Sequence, residues 1–358
     1  MREAIDLPLH TGKAPRWLFS RMVKLARAVL EVMFVEFSSV DILKKLSDPF
    51  WFQSLGCVLG FDWHSSGLTT TTCGAIKQAL REIKDSPVIA CGGKAKASLK
   101  TPLEIEEVGQ KLSIDVDELK NTSRLVAKID NACLQDGFTL YHHMFFFDRR
   151  GRWAVIQQGM QAGSGIWARR YHWYGPATKN PLISPHTAII SDKYNLTLNL
   201  VDEGQQDTQN LITYLAGEKP NKVLNQLVKL KNISRLPRRH KVLLSDINPK
   251  DIYKVLLSSY EQKRGTFSEL LLNTRIGPKT LRALALISEL IYGETLSFRD
   301  PAKFSYAHGG KDGYPYKITK LHYDTTIESL NNILEKAKIE RSQRIYALRR
   351  LFSWLQSL

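Results

Sequence analysis

A chain of 358 residues, 43% hydrophobic, is long enough for two or three domains that each bury a core. Its 51 Lys and Arg against 35 Asp and Glu leave a formal charge of +16, which excludes an acidic solvating chain and points to a polyanionic partner. No stretch approaches the apolar length of a membrane span and the opening MREAIDLPLH lacks a signal-peptide core, so no membrane partner and a cytoplasmic, chromosome-associated protein are expected.

The segment Leu7 to Phe19 sets His10 in a rigid Gly- and Pro-containing loop before a helix. Pro15 suits the first helical turn, after which Leu18, Met22, Leu25, Val29 and Met33 recur at helical spacing. His10 is a candidate catalytic residue. Next, Cys57 to Phe61 predicts a short buried strand, Asp62 to Thr70 a polar loop, and Thr72 to Ile83 a helix. A strand ending in Asp62 and His64 would present carboxylate and imidazole where an α/β sheet does its chemistry, so both are candidates. The loop is no Walker motif, because no GKS or GKT follows at the required spacing. The cysteines Cys57, Cys73, Cys91 and Cys133 form no CxxC pair, which predicts buried reduced thiols rather than a zinc ribbon.

Val88 to Lys96 predicts a strand running into a Gly-Gly turn, with Lys94 beside a possible anion nest. Thr101 to Ala132 predicts helices. Gly137 to Met160 has the form of a β-hairpin, with Asp148 to Gly151 as the turn. Its period of two puts His142 on one face and His143 on the other, so only one of them faces a given pocket. Asp130 and Asp136 precede this strand and can supply metal ligands. Arg169 and Arg170 then alternate with Tyr171 and Trp173, a mixture suited to phosphates and unstacked bases. The alternation from Lys193 to Val201 closes the sheet, and helices begin near Thr208.

Half of the excess charge lies in one run: from Glu218 to Arg264, twelve Lys and Arg face four Asp and Glu, +8 of the +16. Within it Arg235 to Lys241, with Arg238 and Arg239, is broken by Pro237 and predicts an interdomain linker or a DNA-facing loop. Thr266 to Gly293 then predicts two helices joined by a tight turn at Ile276 to Lys279, the second starting at Thr280. Gly277 can take positive φ and Pro278 favours helix entry. Backbone amides at that entry, with Lys279 and Thr280, can hold a phosphate on the positive end of the helix. Two amphipathic helices finish the chain, with Leu330, Ile333 and Leu334, and then Ile345, Leu348, Phe352 and Leu355, as their core faces. The expected fold class is α+β or α/β, with a mixed-sheet domain over 1–207 and a helical domain over 208–358.

Two resemblances follow from these residues. Thr266 to Gly293 resembles the helix-hairpin-helix of DNA-repair and recombination proteins, which implies a backbone grip without base reading. The set LPLHTGKAPRWLF, GFDWHSSGLTTTTCGAIKQAL, WAVIQQGM, ARRYHW and SFRDPAKFSYAHGGKDGYPY resembles an archaeal and bacterial family known as domain of unknown function 763. That family resemblance assigns no catalytic residue.

The leading expectation is a metal-dependent nuclease acting on damaged or branched DNA. Asp62 and Asp136 would hold Mg²⁺ or Mn²⁺, His64 or His142 would move protons, and Lys94, Arg169 and Arg170 would stabilise phosphate charge. A second is a glycosylase or lyase, since Gly277 to Thr280 resembles the turn of helix-hairpin-helix glycosylases, with Lys279 as nucleophile and Asp300 near their catalytic aspartate. A third is a non-enzymatic architectural DNA-binding protein. RNA as partner, and the oligomeric state, stay open.

Overall fold

The structure, a computed structural model, describes residues 15–61, 66–161, 167–191, 196–233, 236–262, 265–302 and 320–357. Four helices come first. α1 (Arg16–Glu36) starts after Pro15 and buries Met22, Leu25, Val29 and Met33, as its spacing predicts. α2 (Ser39–Ser47) is capped by the Ser38 side chain.

α3 (Pro49–Leu59) replaces the expected strand at Cys57. A short apolar run does not distinguish a buried strand from a buried helix. Here the flanking residues decide: Asp48 caps the Trp51 amide, Pro49 occupies the first turn, and Gly60 closes the helix at φ 103°. Every residue of α3 is buried. α4 (Gly67–Glu82) starts earlier than expected, so the hydroxyl run Thr69 to Thr72 is helical.

The strand β1 (Val88–Lys94) is followed by α5 (Lys96–Leu99), α6 (Thr101–Leu112) and α7 (Asp117–Lys128), which runs into a π turn at Ile129–Cys133. Gly92 and Gly93 lie inside β1, not in a turn after it. The Gly92 amide donates to Glu104 Oε2 at 2.9 Å, so the expected anion nest already holds a carboxylate of its own chain. The remaining strands are β2 (Leu134–Gln135), β3 (Phe138–Asp148), β4 (Trp153–Gln161), β5 (Ala168–Tyr174), β6 (Ala188–Ile190) and β7 (Leu198–Asn199). Five of them form one sheet in the order β1-β3-β4-β5-β6, every neighbour antiparallel, while β2 and β7 pair separately. Among the described strands every pairing is antiparallel, so the sheet is of the α+β kind.

From α8 onward the chain is mostly helical: α8 (Gln206–Ala216), α9 (Pro220–Lys231), α10 (Arg238–Ser245), α11 (Pro249–Glu261), α12 (Phe267–Asn273), α13 (Pro278–Tyr292), α14 (Lys320–Lys336) and α15 (Arg341–Ser357). These helices share their cores with the sheet and with the N-terminal helices. One face of the sheet, with Phe145, Phe147, Val155 and Trp173, shares a core with α6, α7 and α8 to α13. The other face, with Met144, Phe146, Ala154 and Ile156, shares one with α1 to α4 and with α14 and α15. The alternation along β3 thus divides two cores, which is the physical consequence of a sheet buried on both faces. Arg350 ties the C-terminal end to the start by donating to the Cys57 carbonyl at 3.1 Å and the Val58 carbonyl at 2.6 Å, the last turn of α3. On α15 it is Ala347 and Leu351 that are buried, while Ile345 and Phe352 are exposed, so the apolar face is rotated from the expected one.

Candidate active site

On the α7 face of the sheet a row of buried polar side chains is joined end to end. The π turn carries Asp130 inward beneath β4 and β5, a position that regular helix geometry after α7 would change. Trp173 Nε1 and Gln157 Nε2 both donate to Asp130 Oδ2, at 2.9 and 2.5 Å, and His186 Nε2 lies 2.5 Å from Oδ1. Gln157 Oε1 lies 2.7 Å from His143 Nδ1, and His143 Nε2 lies 2.9 Å from Ser123 Oγ.

The protons in this row follow from chemistry. An indole N–H only donates, so Asp130 Oδ2 is an acceptor and the Gln157 amide must turn its NH₂ toward it. Gln157 then offers oxygen to His143, Nδ1 carries the proton, and Nε2 is left with a lone pair that accepts the Ser123 hydroxyl. Burial lowers His143 to about 4, against the opposing pull of Gln157 and Asp130, so the ring is neutral at pH 7.

Beside this row stands Arg169, fully buried. Its guanidinium donates to Asp136 at 3.0 Å, to both oxygens of Asp300 at 3.1 and 2.9 Å, and to Ser191 at 3.0 Å. Burial works against this charge, but Asp136 and Asp300 outweigh it and hold the guanidinium above its ordinary range. Asp136 also accepts the Tyr171 hydroxyl at 2.7 Å and the Phe138 amide at 3.0 Å. Arg169, Tyr171 and Trp173 are thus turned inward onto Asp136, Asp300 and Asp130 and do not form the expected surface for phosphates and bases. Both oxygens of Asp130, Asp136 and Asp300 are already engaged in hydrogen bonds, and no group of three His, Cys, Asp or Glu among the described residues could hold an ion.

The opposite face holds His142, Gln158 and Arg170. Arg170 donates to Thr69 at 3.3 Å and Gln53 at 3.0 Å and lies 5.1 Å from the Phe52 ring centroid. Gln158 donates to the Ser66 carbonyl at 2.9 Å and also to Tyr141. Neither ring nitrogen of His142 has a hydrogen-bond partner among the described residues. Burial, with His143, Lys94 and Lys77 nearby, lowers it to about 3. Lys94 pairs across the strands with His142, and its Nζ is 5.7 Å from the Tyr141 ring centroid. The strand alternation therefore separates Arg170 and His142 from Arg169 and Asp136 by the thickness of the sheet. His10, Asp62 and His64 lie outside the described residues.

The row ends at a groove. A cavity of about 430 Å³ is lined by Ser123, Arg124, Lys128, Asn131, His142 and His143 on one side and by Leu271 and Leu272 of α12 and the following Thr274 on the other, so both adjacent histidines border one pocket, which strand alternation alone does not predict. α12 carries a reciprocal capping box between Thr266 and Glu269. The turn after it leads into α13 through Gly277, which is extended at φ −122° instead of left-handed. Thr280 is buried, while Lys279 is exposed and pairs with Asp246 at 3.3 Å. Gln135 donates to the Pro278 carbonyl at 2.8 Å, tying the turn to β2. Lys279 pairs with Asp246, whereas Asp300 pairs with Arg169. Arg239, on α10, lies 3.9 Å from the Phe298 ring centroid and 3.7 Å from Glu289. Arg238 opens α10.

With the fold and the groove in place, comparison with known proteins adds one finding. The chain belongs to the family described as protein of unknown function DUF763, whose model matches residues 3–318. No curated protein and no solved structure matches it. The match spans the sheet, both polar faces and the hairpin, so all of them belong to one family unit. Sequence reasoning weighed Asp130 and Asp136 as ligands beside the hairpin of β3 and β4, but it missed Ser123 and His186 as members of one row. Their separation along the chain leaves no spacing signal. The one clue was that adjacent histidines alternate along β3.

Proposed function

We propose that this DUF763 protein binds nucleic-acid backbone, with DNA as the expected partner, and hydrolyses it in the groove between α7, β3 and α12. The observation that carries the proposal is the shared wall: α12, first helix of the hairpin, lines the same groove as His143 and Ser123. The hairpin resembles a helix-hairpin-helix, with Gly277 meeting no atom that a Cβ would touch, Pro278 in the first turn and an exposed Lys279. A phosphate at the start of α13 would meet the positive end of a 15-residue helix. Arg124 and Lys128 add positive charge at the groove. The basic run from Glu218 to Arg264 supplies the long-range attraction.

End-labelled single-stranded, duplex, branched and damaged DNA, and RNA of the same sequence, test the proposal in Mg²⁺, Mn²⁺ or EDTA. Cleavage is expected to persist in EDTA and to be lost in His143→Gln. Lys279→Ala should weaken binding about equally for all sequences and reduce the salt slope by about one. Absence of binding to every nucleic acid would overturn the proposal. Binding without cleavage would leave an architectural protein, and cleavage only with metal would return the chemistry to Asp62 and His64.

A further inference from the structure

We infer that Ser123 is a nucleophile, activated by His143, that attacks the phosphorus of an anionic phosphodiester held in the groove. Three observations converge. The first is polarity: the Trp173, Asp130 and Gln157 hydrogen bonds force Nδ1 of His143 to carry the proton, so Nε2, 2.9 Å from Ser123 Oγ, is the basic nitrogen. This is the nucleophile, base and orienting-group arrangement of covalent catalysis, with Gln157 relaying the orientation set by Asp130.

The second is access. Ser123 and His143 both line the groove, so a row buried for most of its length reaches a cavity at the hydroxyl end. The third is the lining. Arg124 and Lys128 lie one residue and five residues after Ser123 on α7 and also line the groove. Asn131, whose Oδ1 accepts the Leu140 amide at 3.2 Å, keeps its NH₂ as a donor there. Cations and amide donors stabilise the non-bridging oxygens of a phosphoryl group in transfer. The apolar rim of Leu99, Pro102, Leu140 and Leu271 suits a planar leaving group.

In the first step Ser123 Oγ bonds to phosphorus while its proton passes to His143 Nε2. The bond from phosphorus to the leaving oxygen breaks, and that oxygen takes the proton from Nε2. In the second step water attacks the phosphoserine and gives a proton to Nε2. The bond from phosphorus to Oγ breaks, and Oγ recovers the proton. Gln157 and Asp130 are positioning residues that keep the ring in the required tautomer.

The inference rests on the groove as the reacting site but not on DNA as its occupant. The native protein is incubated with a fluorophosphonate, which loses fluoride to activated serine hydroxyls, and the adduct is mapped by peptide mass spectrometry. The expected result is phosphonylated Ser123, competed by bis(p-nitrophenyl) phosphate and slowed about 100-fold or more in His143→Gln. No adduct on Ser123 of the folded wild type, or undiminished labelling of the histidine variant, overturns the inference. The reaction needs no nucleic acid, so a Ser123 adduct on protein that binds no DNA would keep the inference and remove the nucleic-acid proposal. DNA cleavage that survives in Ser123→Ala would do the reverse.

Discussion

Lowering the pH from 7 to 5 is expected to withdraw about 4 kcal/mol of folding stability through His142 and His143 alone. Both rings are buried within the sheet, and burial lowers them to about 3 and about 4 from an ordinary value of 6.5. The unfolded chain therefore binds protons below pH 6.5 that the folded chain refuses. Stability from these groups is complete above that value and is lost as the pH falls toward about 4 for His143 and about 3 for His142. At pH 5 each unfolded histidine has titrated through about 1.5 units, or roughly 2 kcal/mol at about 1.36 kcal/mol per unit. Urea unfolding at pH 7, 6 and 5 measures the loss, with the His142→Gln/His143→Gln double variant as reference for every other titrating group. The wild type should lose about 4 kcal/mol more than the double variant between pH 7 and 5. Equal losses in both proteins would falsify the assignment of two neutral buried imidazoles.

Two other perturbations test contacts within the same sheet. Arg169→Met leaves Asp136 and Asp300 buried without their cation, so a loss of about 3 to 5 kcal/mol is expected in urea unfolding, partly restored by adding Asp300→Asn. Gly92→Ala meets both a φ of +105° and a Cβ position 2.2 Å from the His143 carbonyl oxygen, whereas Gly137→Ala at φ +90° meets open space. The first should cost at least about 2 kcal/mol more than the second in thermal or urea unfolding, and equal costs would show that the close approach to β3 is relieved.

Much of the secondary structure was legible because it depends on near neighbours. The helical spacing of Met22, Leu25, Val29 and Met33, the hairpin of β3 and β4, and the alternation of His142 and His143 are all set by residues within a few positions of one another. A region of mixed strands and helices followed by a mostly helical one was readable in the same way, while the antiparallel order of the strands was not. Where local signals were balanced, as from Pro49 to Leu59, a buried run fitted helix and strand alike until its caps were considered.

What only tertiary structure decided is the set of partners. Arg169 and Arg170 look equivalent as neighbours in sequence, yet strand alternation sends one to Asp136 and Asp300 and the other to Gln53 and Thr69. Ser123, Asp130, His143, Gln157 and His186 meet because the π turn, β3, β4 and the segment before β6 converge. The return of α14 and α15 to α1 and α3 comes from the need to cover a second apolar face of the sheet. Spacing along a chain encodes which side of an element a residue occupies. Packing of elements distant in sequence determines what it meets there, and in this protein that separates the buried row ending at the groove from the surface contacts that its arginines and aromatics alone suggest.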